Sequence, residues 1–160
     1  MRRERAAELL RLAREDVGMS RDQLAVASDT SPDELELYES GAALPDADVM
    51  ARLLRAADAR PSLSLMVHRA EIGAAASRHH LHGVRVFGSA ARGSDTSRSD
   101  IDLLVGTRDD TTLFDLAAFV DDVRDITGRD VDVLTEHQAE DPFFAPVSYT
   151  HLTLPTILRV

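Results

Sequence analysis

The apolar pattern of this chain changes period at Gly83, and that change restricts the fold to two dissimilar parts. Upstream, apolar residues recur at helical spacing in short runs separated by capping and breaking residues. Leu9, Leu10, Leu12 and Ala13 mark the inner face of a first helix. Ser20 reads as the N-cap of a helix over 21–27, with Gln23 in its first turn. Ser31 and Glu34 form a capping box that opens a helix over 32–38, with Pro32 at the first helical position and Gly41 past its end. Pro45 and Asp46 introduce a helix over 48–59 with Val49, Leu53, Leu54 and Ala57 inward. Pro61 closes this region, and a further helix over 62–81 carries Leu65, Val67, Ile72 and Ala76. Downstream of Gly83 the apolar runs shorten to strand length, over 84–87, 101–105 and 131–134. Between the last two, Leu113, Leu116, Ala117, Val120 and Val123 mark a helix over 113–126 with Gly128 as its C-cap. The expected fold is α plus α/β: an all-helical module over 1–61, then a small α/β domain with a mixed sheet over 62–146.

Composition narrows the chemistry. The chain has no Cys, which removes disulfides, thiolate metal sites and Cys nucleophiles and fits a reducing cytoplasm. All 18 basic residues are Arg. Without Lys there is neither a Walker-type phosphate loop nor a Schiff base. The net charge is −10, with 9 Arg against 13 acidic residues in 1–60 and 9 against 15 in 61–160. Neither part has the positive field that sequence-independent nucleic-acid binding needs. No apolar run approaches the roughly 20 residues of a membrane span, so a cytoplasmic protein without a membrane partner is expected. The segment 147–160 is Thr-rich without an acidic residue and resembles translated sequencing adapter, so it is read as a non-native tail.

The stretches Val86-Phe87-Gly88-Ser89-Ala90-Ala91-Arg92-Gly93 and Ser99-Asp100-Ile101-Asp102-Leu103-Leu104-Val105 carry the chemistry. Alternate strand residues share a face, so Asp100 and Asp102 stand together while Ile101 turns to the core. Paired carboxylates with room for water and phosphate oxygens suit Mg²⁺ or Mn²⁺. Upstream, a strand ends in Gly88-Ser89 and enters a helix, a place where backbone N–H groups meet phosphate. Gly88 permits close approach, Ser89 adds a hydroxyl, and Arg92 one turn on offsets phosphate charge. A third carboxylate is expected for the metal site. Asp132, between Val131 and Val133, is chosen over Asp130, which precedes the apolar run and reads as an exposed strand end.

Together these residues resemble the signature of the minimal nucleotidyltransferases of the DNA polymerase β-like superfamily, over about residues 68–140. The resemblance implies that Asp100 and Asp102 bind metal, that Asp132 completes the set and assists the acceptor hydroxyl, and that Gly88 and Ser89 hold the triphosphate of ATP or another NTP. Many relatives are antitoxins that move AMP onto a hydroxyl of a partner toxin, commonly of the HEPN type. Residues 6–60 resemble the XRE-type helix-turn-helix fold, through Ser20, Gln23, Leu24, Ala25, Ser31, Leu35, Tyr38, Gly41 and Pro45. That implies operator DNA and a homodimer. The helix that should enter the groove reads Pro32-Asp33-Glu34-Leu35-Glu36-Leu37-Tyr38-Glu39, however, and its acids oppose phosphates. Two uses of the module stand open: operator binding by a dimer through Arg2, Arg3, Arg5, Arg11 and Arg21, or dimerisation or toxin docking. Two other readings stand beside transfer to a toxin: a non-catalytic repressor or toxin-sequestering antitoxin, and transfer to a small molecule. His79, His80 and His82 read as polar residues at a helix end rather than metal ligands, and Asp121, Asp122 and Asp125 as a solvated helix face.

Overall fold

A computed structural model describes residues 2–139 and the main chain of 150–151; the expected non-native tail otherwise lies outside the described residues. The chain divides into two compact units, Met1–Val67 with Thr96–Arg98, and His68–Asp95 with Ser99–Val160.

The first unit holds helices α1 (Arg3–Asp16), α2 (Arg21–Ala27), α3 (Pro32–Glu39), α4 (Ala47–Ala56) and the start of α5 (Pro61–Arg78). Side-chain caps set three of the starts. Ser20 Oγ accepts from the Gln23 amide at 3.1 Å while the Gln23 side chain accepts from the Ser20 amide at 2.7 Å. Ser31 and Glu34 close the same reciprocal box, and Asp46 accepts from the Val49 amide at 2.8 Å. Each cap satisfies amides that the first turn leaves unpaired. The helices then bury Leu9, Leu10, Leu24, Leu35 and Leu53 in one core. One charged group is taken inside with them. The Glu39 side chain is 3% exposed and accepts from Arg14 at 2.7 and 3.2 Å and from Arg21 at 3.2 Å. Burial of that carboxylate is tolerable because two guanidinium groups meet both its oxygens.

The fourth helix ends three residues earlier than its apolar pattern suggested, because Asp58 takes a left-handed conformation. Met50, rather than Val49, is its buried first-turn residue.

The second unit contains the rest of α5, β1 (Leu81–Val86), α6 (Gly88–Ala91), β2 (Ile101–Thr107), α7 (Leu113–Thr127), β3 (Val131–Thr135), α8 (Glu136–Ala139) and β4 (Thr150–His151). The sheet order is β3-β2-β1-β4; β1 is antiparallel to β2 and β4, and β2 is parallel to β3. This is the mixed sheet of a small α/β domain. Helix α7 supplies the crossover that a parallel pair requires. Strand β1 begins at Leu81, ahead of the expected Val84, so His82 lies in the sheet and not at a helix end. A register shift between His82 and Arg85, with Gly83 at φ +58°, absorbs the irregularity that broke the alternation in sequence.

Helix α7 is rotated from the face that its Leu and Ala spacing suggested. Phe119, Val123 and Thr127 are buried, whereas Leu113 is 83% exposed. Burying the large ring of Phe119 outweighs the smaller Leu113 and Ala117 contacts, because an aromatic side chain removes more apolar area from water. Two phenylalanines five residues apart in one helix therefore differ in energetic role. Phe119→Ala should cost about 3–5 kcal/mol of stability. Phe114→Ala, at a position 86% exposed, should change it by less than about 0.5 kcal/mol. Urea unfolding of the two variants measures the contrast.

Candidate active site

Strand β2 lies inside the sheet, and Ile101, Leu103, Leu104 and Val105 are all buried. Asp102 is the half-buried polar residue in that run. Strand β3 joins β2 with Asp132 directly opposite Asp102, flanked by Ile101 opposite Val131 and Leu103 opposite Val133. Residues paired in this way share a face, so the two carboxylates stand side by side. Asp100 lies just before β2, two residues from Asp102, and is exposed like Asp132. The competitor Asp130 plays a main-chain part: its carbonyl accepts from the Ile101 amide at 2.9 Å and fixes where the ladder begins.

The glycine-serine segment meets these carboxylates from β1. The Phe87 amide donates to the Asp102 carbonyl at 3.1 Å. Gly88 follows at φ +66°, and a Cβ added there would stand 1.9 Å from Asp102 Oδ2. Only glycine meets both conditions, so Gly88 is the steric counterpart of the Asp102 carboxylate. The expected helix after it is a single turn, Gly88–Ala91, closed by Arg92 and Ser94 amides donating to the Ser89 carbonyl at 3.2 and 3.0 Å. One turn carries little of the dipole of a long helix, so positive charge here comes chiefly from Arg92.

Charge is unbalanced at this point of the sheet. Burial pushes the Asp102 carboxyl above the ordinary carboxylate range, Asp132 and Asp100 push it further, and Arg92 opposes them. A divalent cation suits such a donor set, since it would relieve the repulsion that one arginine leaves. Among the described residues no three acidic or imidazole side chains form a ready-made cation cage. Asp100, Asp102 and Asp132 supply only oxygen donors, the chemistry that suits Mg²⁺, without standing as a preformed three-ligand group.

The histidines serve elsewhere. His79 Nε2 lies 2.8 Å from Asp122 Oδ2, and Arg78 donates to the same oxygen at 2.8 Å. These contacts hold the Asp122 carboxyl below its usual range. Asp122 is thus a tie between α5 and α7 rather than a purely solvated residue. Arg85 and Glu136, which pair with each other beside the site, had no sequence signal, because 51 residues separate them.

Residues 73–152, half of the chain, match the nucleotidyltransferase domain family. The chain belongs to this family. Residues 5–64 match a helix-turn-helix domain, so an N-terminal helix-turn-helix precedes the nucleotidyltransferase domain. A protein of Methanocaldococcus jannaschii named "Putative protein adenylyltransferase" is 40% identical over 57 residues, which are 34% of this chain and 61% of that protein's length. A solved structure described as "putative minimal nucleotidyltransferase" is 32% identical with a TM-score of 0.48, covering 52% of this chain and 85% of that one. The expected transferase class is met at the level of the family. No helix among the described residues is long and apolar enough to cross a membrane.

The raised Asp102 pKa has a thermodynamic sign. A carboxyl with its folded pKa above its unfolded one favours folding at low pH, and that contribution is lost as pH rises through the folded value. At neutral pH the ionised group therefore opposes folding. Asp102→Asn should melt at a higher temperature than the parent protein in metal-free buffer at pH 7. The difference should shrink as pH falls through the Asp102 titration. Thermal melts across that range check both statements, and an equal or lower melting temperature at pH 7 would contradict them.

Proposed function

We propose that this nucleotidyltransferase transfers AMP from ATP to a hydroxyl of a partner protein, as an antitoxin acting on its toxin. The observation that carries the reading is the pairing of Asp102 with Asp132 across β2 and β3, with the Asp102 carboxylate against the Gly88 main chain. Asp100, Asp102 and Asp132 would hold a divalent cation, which when bound neutralises triphosphate charge and makes an acceptor hydroxyl more acidic. Gly88 lets the phosphates approach the main chain, and Ser89 offers a hydroxyl donor. Arg92 offsets charge on the phosphate oxygens. Asp132, exposed on the edge strand, orients the acceptor hydroxyl and takes up its proton. An oxygen–phosphorus bond forms at the α-phosphate, the bond to the β-phosphate bridge breaks, and pyrophosphate leaves. The name of the archaeal relative supports a protein as acceptor.

The test is transfer of label from α-labelled ATP to the product of the adjacent gene, with Mg²⁺ present. Wild-type protein should label it, and chelation of the metal should stop the reaction. Asp100→Ala should lower the rate at least about a hundredfold, the scale expected when electrostatic stabilisation of the transferring phosphoryl group is removed. Equal labelling by Asp100→Ala would remove the proposal.

A second reading, a repressor bound to operator DNA, follows from the helix-turn-helix domain. Charge in its third helix weighs against it. Asp33, Glu34 and Glu36 are exposed there, and Arg14 and Arg21 are engaged with Glu39. Binding to DNA from upstream of its own gene is expected to be weaker than about 10⁻⁶ M at physiological salt, at or below the range of nonspecific contact. A mobility-shift titration reads this directly, and nanomolar binding would favour the repressor.

A further inference from the structure

Asp132 sits on β3, the strand at the edge of the sheet, whose ladder to β2 covers five residue pairs. A second tie reaches the end of β3 from the other side of β2. Arg85 of β1 stands opposite Leu104 of β2, and Leu104 stands opposite Leu134 of β3. Cross-strand partners share a face, so these three form one row on the face that carries Asp102 and Asp132, two residues further along each of the parallel strands. From that row the Arg85 guanidinium pairs with Glu136, the first residue after β3. The Arg85 side chain is 12% exposed, so its charge is held largely away from water, where an ion pair is screened less than at the surface.

Glu136 is itself held in place. The Thr135 amide donates to Gln138 Oε1 at 2.9 Å, and the Gln138 amide donates to Thr135 Oγ1 at 3.3 Å. This reciprocal cap fixes the direction of the chain where it leaves β3. Two non-adjacent strands are thus joined across the one between them, and the joined end belongs to the strand carrying Asp132.

We propose that Arg85 and Glu136 are positioning residues that hold the edge strand so that Asp132 stays opposite Asp102. The proposal rests on the reading of Asp132 as the group that orients the acceptor. Among the described residues, Asp102 is on β2, which has a strand on each side, whereas β3 has only β2 beside it. Releasing the tie therefore disturbs handling of the acceptor more than binding of the nucleotide. A misplacement of about 1 Å is enough to slow transfer substantially.

The experiment follows pyrophosphate release from MgATP with the adjacent gene's product as acceptor. Glu136→Gln is the first variant, since this side chain is 46% exposed and its loss of charge is compatible with folding. Glu136→Gln and Arg85→Ala should each lower kcat about tenfold while leaving the KM for MgATP within about twofold of wild type. Arg85→Lys should retain more activity than Arg85→Ala. The double variant should be no slower than the slower single one, as expected for two residues acting through one contact. A readout independent of turnover accompanies these. Amide hydrogen exchange over 131–135 should quicken about tenfold in Glu136→Gln, with 101–107 unchanged, because local opening of an edge strand sets its exchange. Losses that multiply in the double variant, a rise in MgATP KM with kcat unchanged, or unaltered exchange over 131–135 would each overturn the proposal. If wild-type protein releases no pyrophosphate, the transferase reading fails, and exchange alone decides whether the tie holds the strand.

Discussion

Two carboxylates set in register on adjacent strands repel one another, and the second unit is organised around tolerating that repulsion. The ladder between β2 and β3 holds the Asp102 and Asp132 main chains opposite each other. The other side of Asp102 is closed by the Gly88 main chain. Burial first, and then Asp132 and Asp100, raise the Asp102 pKa. That cost is offset by the apolar residues on either side of Asp102 in the chain, with Ile101, Leu103, Leu104 and Val105 essentially removed from water. Such repulsion at one point, with dense packing immediately around it, fits the proposal of a ligand that brings positive charge. Sites of this kind commonly trade stability for function.

The first unit meets a similar problem with the opposite solution. Glu39 is as buried as a core leucine, yet Arg14 and Arg21 neutralise it within the protein. Its charge therefore serves the fold. Asp102 differs: a buried carboxylate with two arginines on it is neutralised within the fold, whereas one facing two more carboxylates and a single arginine keeps uncompensated charge. The same pairing engages Arg14 and Arg21 with a carboxylate of the fold. Exposed Asp33, Glu34 and Glu36 then give the third helix a character at odds with a groove lined by phosphates.

Much of the local structure could be read from the residues. The N-cap at Ser20, the capping box at Ser31 and the stop at Gly128 all depend on chemistry within a few residues. The rotation of α7 could not be read, since a spacing of apolar residues does not say which stripe will find the larger complementary surface. Phe119 decided it. The start of β1 was hidden by the irregularity at Gly83, which disturbs the period on which strand reading depends. The short α6 turn left less helix dipole at the Gly88-Ser89 segment than a strand-to-helix junction suggests, and it gives Arg92 a larger share of the positive charge.

By itself the sequence determined the family, the two-part organisation of helices followed by a mixed sheet, and the residue types available to hold a cation and a triphosphate. These follow from short-range spacing, which survives in one dimension. Only the tertiary structure decided that Asp132 faces Asp102, that Gly88 makes room for that carboxylate, and that Arg85 reaches Glu136 across the intervening strand. Each of those contacts joins residues separated by a folded element. Their distances depend on strand register and on the crossover helix, and no local pattern encodes either.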